Sequence, residues 1–126
     1  MLVDTDVLIA HLRGIEAARE WLRQARERGP LAISAVTVTE LAGGMRSTER
    51  REVWALLTAL RIEPVSEVIA RRAGALMRQY RRSHSGIGLA DYLIAATAET
   101  LGADLATLNL RHFPMFPDLE APFTLW

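Results

Sequence analysis

The chain has 126 residues, half of them apolar, with 15 basic and 15 acidic side chains and a formal net charge of zero. That length suits one domain with a real core over residues 1–126, and the charge balance argues against wholesale coating of nucleic acid. Cysteine is absent, which excludes disulfides, thiol nucleophiles and thiolate metal sites, so any metal is expected on oxygen or imidazole ligands, as suits Mg²⁺ or Mn²⁺. No lysine occurs either, and a lysine-dependent mechanism is excluded with it. There is no basic segment leading into an apolar stretch at the N-terminus and no run approaching the roughly 18 apolar residues of a membrane span, so the expectation is a soluble, cytoplasmic protein.

In chain order, Met1 to Asp4 reads as a strand, followed by a short helix to about Leu12 and a helix from Ile15 to Arg28, stopped by Gly29-Pro30. Leu31 to Ala35 reads as a second strand, and Thr37 to Met45 and Thr48 to Leu60 as helices. Arg61 to Val65 is a third strand, Ser66 to Arg82 a long amphipathic helix, Ser83 to Gly88 a turn, and Leu89 to Leu101 an apolar, alanine-rich helix ended by Gly102. Asp104 to Leu108 is a fourth strand and Pro122 to Leu125 a possible fifth. Strands alternating with helices of these lengths imply an α/β/α sandwich with a central parallel sheet of four or five strands.

In such a sheet ligands bind at the carboxyl ends of the strands, and the acids fall there. Asp4 ends the first strand, Glu40 follows the second, Asp91 begins the buried helix, and Asn109 follows the fourth strand. Converging carboxylates repel one another, and a partly hydrated divalent cation removes that cost while polarising a water against a phosphate. Each residue also has a purely structural explanation: Thr37 and Glu40 match a capping box, Asp91 suits a helix N-terminus, Asp4 and Asn109 are natural caps, and Asp6 fits an exposed first turn. The joint arrangement carries more weight than any single position. Between Leu41 and Ala90 lie nine arginines against four acids, an excess of five positive charges that a phosphate-bearing partner can use, or that can form solvated helix faces.

MLVDTDVLI, SAVTVTEL, GLADYLIAATAETLGADLATLN and LRHFP, in that order and spacing, resemble the PIN-domain nucleases, in particular the VapC-type toxins of bacterial toxin-antitoxin pairs. The resemblance implies a Mg²⁺- or Mn²⁺-dependent ribonuclease with an RNA substrate, a cognate antitoxin and a homodimeric state. It implies that Asp4, Glu40 and Asp91 hold the metal, with Asn109 at a fourth position that is often aspartate. Thr5, Asp6 and Thr107 belong to the same motifs as accessory residues, while His112 and Phe113 match a common extension for which packing and hydrogen bonding are expected. His11 and His84 have no partner spacing and are expected to be structural or superficial. The implied reaction is phosphodiester hydrolysis by a metal-activated water, leaving a 5′-phosphate and a 3′-hydroxyl, with arginines such as Arg46, Arg81, Arg82 or Arg111 guiding the RNA. Two other readings are a haloacid-dehalogenase-like phosphatase, from the partial match of DTD, and a non-catalytic RNA- or protein-binding module on the same fold.

Overall fold

The computed structural model describes residues 1–125. Its centre is a four-stranded parallel sheet of β1 (Leu2–Val3), β2 (Ala32–Ser34), β3 (Arg61–Glu63) and β4 (Leu105–Ala106), in the order β3-β2-β1-β4. Helices α1 (Thr5–Leu12) and α2 (Glu16–Arg28) connect β1 to β2, and α3 (Ala35–Gly44) and α4 (Arg50–Thr58) connect β2 to β3. Helices α5 (Glu67–Tyr80) and α6 (Leu89–Leu101) then carry the chain to β4, on the far side of β1.

Side-chain alternation along the strands separates two cores. Val3 and Ile33 face one way and pack with Val7, Leu8, Leu22, Leu41, Val53 and Leu57 from α1 to α4. Leu2 and Leu105 face the other way and pack with Ile69, Leu76, Tyr92, Ile94 and Phe113. The result is the α/β/α sandwich expected, built on four strands. Among the described residues no helix is long and apolar enough to cross a membrane.

Some boundaries differ from expectation for local reasons. Helix α3 starts at Ala35, two residues early, because the Ser34 hydroxyl accepts the Val36 amide at 3.1 Å and so caps the helix. The predicted helix from Thr48 begins instead with a 3₁₀ turn over Ser47–Glu49. The strands are short, two or three residues each, and β3 at the sheet edge has no buried residue. Pro122 to Leu125 forms no strand: Phe123 packs its ring 6.2 Å from Trp21 and joins the α1–α4 core. Helix α6 spans the expected residues, and Gly102 ends it in the left-handed region (φ 62°), where glycine bears no side-chain clash.

Candidate active site

The strand order reverses direction between β1 and β4: the chain builds outward from β1 through β2 to β3, then returns to the other side of β1. Such a switch point opens a crevice at the carboxyl ends of the two strands. Leu2 registers with Leu105 and Val3 with Ala106, and the Asp4 amide donates to the Ala106 carbonyl at 2.8 Å. The next residues in register, Asp4 and Thr107, therefore emerge side by side.

Their side chains meet. The Thr107 hydroxyl donates to Asp4 Oδ2 at 2.6 Å and lies 3.3 Å from Asp6 Oδ2. A hydroxyl has one hydrogen, so the shorter bond to Asp4 takes it. Asp6 Oδ2 accepts the Leu108 amide instead at 3.0 Å, and the Asn109 amide donates to the Thr107 oxygen at 3.0 Å. Asp4 Oδ1 accepts the Thr5 amide at 2.8 Å, so Asp4 caps α1 while holding the turn after β4. Asp6 is half-buried and tied to that turn, not exposed in a helical first turn as its structural explanation required.

Glu40 joins through Thr5. The Thr5 hydroxyl donates to Glu40 Oε1 at 2.6 Å, with the Thr37 hydroxyl 3.0 Å from the same Thr5 oxygen. Since Ser34 caps α3, Glu40 stands beyond the first turn and the Thr37–Glu40 capping box does not form. Beside Glu40 a groove of about 640 Å³ runs between α1, α3 and α4, floored by Ile9, Leu41 and Val53 and edged by Arg13 and Arg46.

Asp91 opens α6, where its Oδ2 accepts the Gly88 amide at 3.1 Å and stands 3.0 Å from His112 Nδ1. Asn109 Nδ2 lies 2.8 Å from the same ring nitrogen. His112 thus stands within the site, between two residues that the motifs singled out. The signal in sequence is its spacing: Asn109 and His112 lie three apart across a 3₁₀ turn, on one face of that turn. His11 and His84 stay outside, His11 near Arg19 and Arg26 and His84 edge-on to Tyr80.

The electrostatics follow from burial. Asp4 is pushed up from 3.8 to about 7, first by desolvation, then by the charge of Asp6, with a smaller contribution from Asp91. Asp6 is also raised, mainly by burial, although the Leu108 amide works against it. Burial and nearby negative charge therefore oppose ionisation of Asp4 and Asp6, and Asp6 Oδ1 is buried with no hydrogen-bond partner. Among the described residues no three acidic, histidine or cysteine side chains are close enough together, as they stand, to hold a metal ion between them. An all-oxygen donor set, an orphaned carboxylate oxygen and unneutralised charge fit a hard divalent ion that keeps several of its waters.

The PIN-domain family model matches residues 1–116. The chain belongs to the PIN-domain family. Within that family it is similar to Ribonuclease VapC10 of Mycobacterium tuberculosis, 65% identical over 125 residues that cover 99% of this chain and 94% of that protein. Ribonuclease VapC19 of the same organism is 46% identical over 97% of this chain and 98% of its own. Among solved structures, a toxin-antitoxin complex from Klebsiella pneumoniae superposes with a TM-score of 0.78 at 30% identity, covering 97% of each chain. The PIN-domain sandwich thus accounts for the sheet order and for the crevice at its switch point.

Proposed function

We propose that this protein is a VapC-type endoribonuclease toxin that hydrolyses RNA phosphodiester bonds and is held in check by a cognate antitoxin. The observation that carries this reading is the gathering of Asp4, Asp6 and Asp91 at the switch point, where burial and mutual repulsion raise Asp4 to about 7. The names of the relatives, ribonucleases and a toxin-antitoxin complex, support the substrate and the partner. The same resemblance supports a homodimer, and the cytoplasm as the compartment where RNA and antitoxin are met.

In this reading Asp4, Glu40 and Asp91 would hold Mg²⁺ or Mn²⁺, with Asp6 adding negative charge, while Asn109 pairs with His112. A hard divalent ion in that position supplies acidity to a water and stabilises charge growing on the phosphoryl oxygens. The chain's own residues do the rest. Thr107 and the Thr5 amide fix both oxygens of Asp4, and the Thr5 hydroxyl fixes Glu40, so little reorganisation accompanies binding. The groove beside Glu40 gives a polymer room to lie against the carboxylates, and Arg13 and Arg46 on its edge attract a phosphate backbone. The phosphatase reading needs Asp4 as a nucleophile beside a basic residue, commonly lysine, and the chain contains no lysine.

The test uses purified protein and its Asp4→Ala variant, both folded by circular dichroism, incubated with bacterial RNA in Mg²⁺, in Mn²⁺ and with EDTA. The reading predicts discrete fragments from the wild type alone, absent with EDTA; equal cleavage by both proteins contradicts it.

A further inference from the structure

His112 lies where three segments meet. Its Nδ1 faces Asp91 Oδ2 at 3.0 Å and Asn109 Nδ2 at 2.8 Å, and a Cβ built on Gly86 meets its Nε2 at 3.5 Å. One ring nitrogen cannot both accept the amide hydrogen of Asn109 and donate to Asp91. Donation to the carboxylate is the stronger bond, because one partner is charged, and turning the Asn109 amide over presents its oxygen to the same N–H.

We propose that His112 is a positioning residue: its Nδ1–H, together with the Gly88 amide, holds Asp91 by Oδ2 and leaves Oδ1 as the oxygen offered to a divalent ion. The geometry supports this division of labour. Both observed donors address Oδ2, and none among the described residues addresses Oδ1. The contact also ties the start of α6 to the turn after β4, so the two halves of the crevice, Asp91 on one side and Thr107 to Asn109 on the other, are held at fixed spacing. This role rests on the metal-nuclease reading above. It differs from a merely structural role in needing a donor at the Nδ1 position and not simply a ring of that volume.

The experiment uses the full chain with ¹⁵N-labelled histidine, and the variants His112→Asn, His112→Gln and His112→Phe. Asparagine keeps an amide near the Nδ1 position, glutamine places it nearer Nε2, and phenylalanine keeps the volume without a donor. Long-range ¹H–¹⁵N spectra of metal-free wild type report which ring nitrogen of His112 carries hydrogen, and titration with Mn²⁺, followed by the electron spin resonance of the free ion, gives affinity. The expected result is a protonated Nδ1 and an affinity about 10- to 100-fold weaker in the Phe and Gln variants, as for outer partners of metal ligands generally. His112→Asn is expected to recover most of the wild-type affinity. A bare Nδ1, a His112→Phe variant that binds as the wild type does, or an Asn variant no better than Gln overturns the proposal. Should His112→Phe fail to fold, the Asn and Gln pair decides. A wild type that binds no Mn²⁺ overturns the underlying reading and the proposal with it, whereas wild-type binding indifferent to His112 overturns the proposal alone.

Discussion

Two charged regions of this molecule obey opposite rules. On the outer face of α2, Arg23 lies 2.6 Å from Glu20 and 2.7 Å from Glu27, and α5 pairs Arg71 with Glu67 at 2.9 Å, all well exposed to water. At the carboxyl ends of β1 and β4, Asp4, Asp6 and Asp91 gather like charges in a site where Asp4 is buried and no arginine or lysine pairs with Asp4 or Asp6 among the described residues. Water screens the first set, whose contribution to folding is correspondingly small. The second set loses solvation and stays in place because threonine hydroxyls and backbone amides hold its oxygens, and it is this uncompensated charge that suits it to a cation.

Removing a carboxylate should break the contrast most severely. Changes to outer partners of a metal site cost about 10- to 100-fold, so Asp4→Ala or Asp91→Ala is expected to lower the RNA cleavage rate by more than about 100-fold, with the circular dichroism spectrum unchanged. Initial rates at saturating Mg²⁺ check this.

Next in size is the hydroxyl that binds the two strand ends. Thr107→Val leaves Asp4 Oδ2 without its donor and the Asn109 amide without its acceptor. Stranded buried polar groups cost about 1–3 kcal/mol each, and a loss within that range is expected from urea denaturation.

A smaller effect depends on pH. Because Asp4 is raised from 3.8 to about 7, the metal-free folded protein holds a proton in that window which the unfolded chain has released. Stability should therefore fall as pH rises from about 4 to about 7, and Mg²⁺ should restore it at the upper end. In the same conditions Asp4→Asn is expected to raise the melting temperature at pH 8 more than at pH 5. Thr107 then reverses, accepting from the amide and giving its hydrogen to Asp6.

At the other extreme, Arg23→Ala is expected to leave the denaturation midpoint unchanged within error, with or without added salt. A clear loss there would erase the distinction between the two regions.

Much of the frame was legible in the residues because local signals agreed with the fold. Helix α6 could be bounded at both ends, since its apolar run starts after the Ser83–Gly88 turn and stops at Gly102. The alternation of elements gave the layers. What the chain could not disclose was long-range: that β4 lies beside β1, so that Thr107 meets Asp4 across 103 residues, depends on packing that no local pattern encodes. Asp6 and Glu40 were ambiguous for the same reason, each having an acceptable local role until Ser34 took the cap of α3 and the Leu108 amide took Asp6. The C-terminal segment misled because Phe123 is as well suited to a strand as to the aromatic contact it makes with Trp21.

The most direct test of the carboxylate edge is anomalous diffraction from crystals grown with Mn²⁺, which locates the ion without reference to activity. The account predicts a peak at the switch point, among Asp4, Glu40 and Asp91, that disappears in Asp4→Asn. A peak elsewhere, or one in the crevice that survives loss of the Asp4 charge, would contradict it.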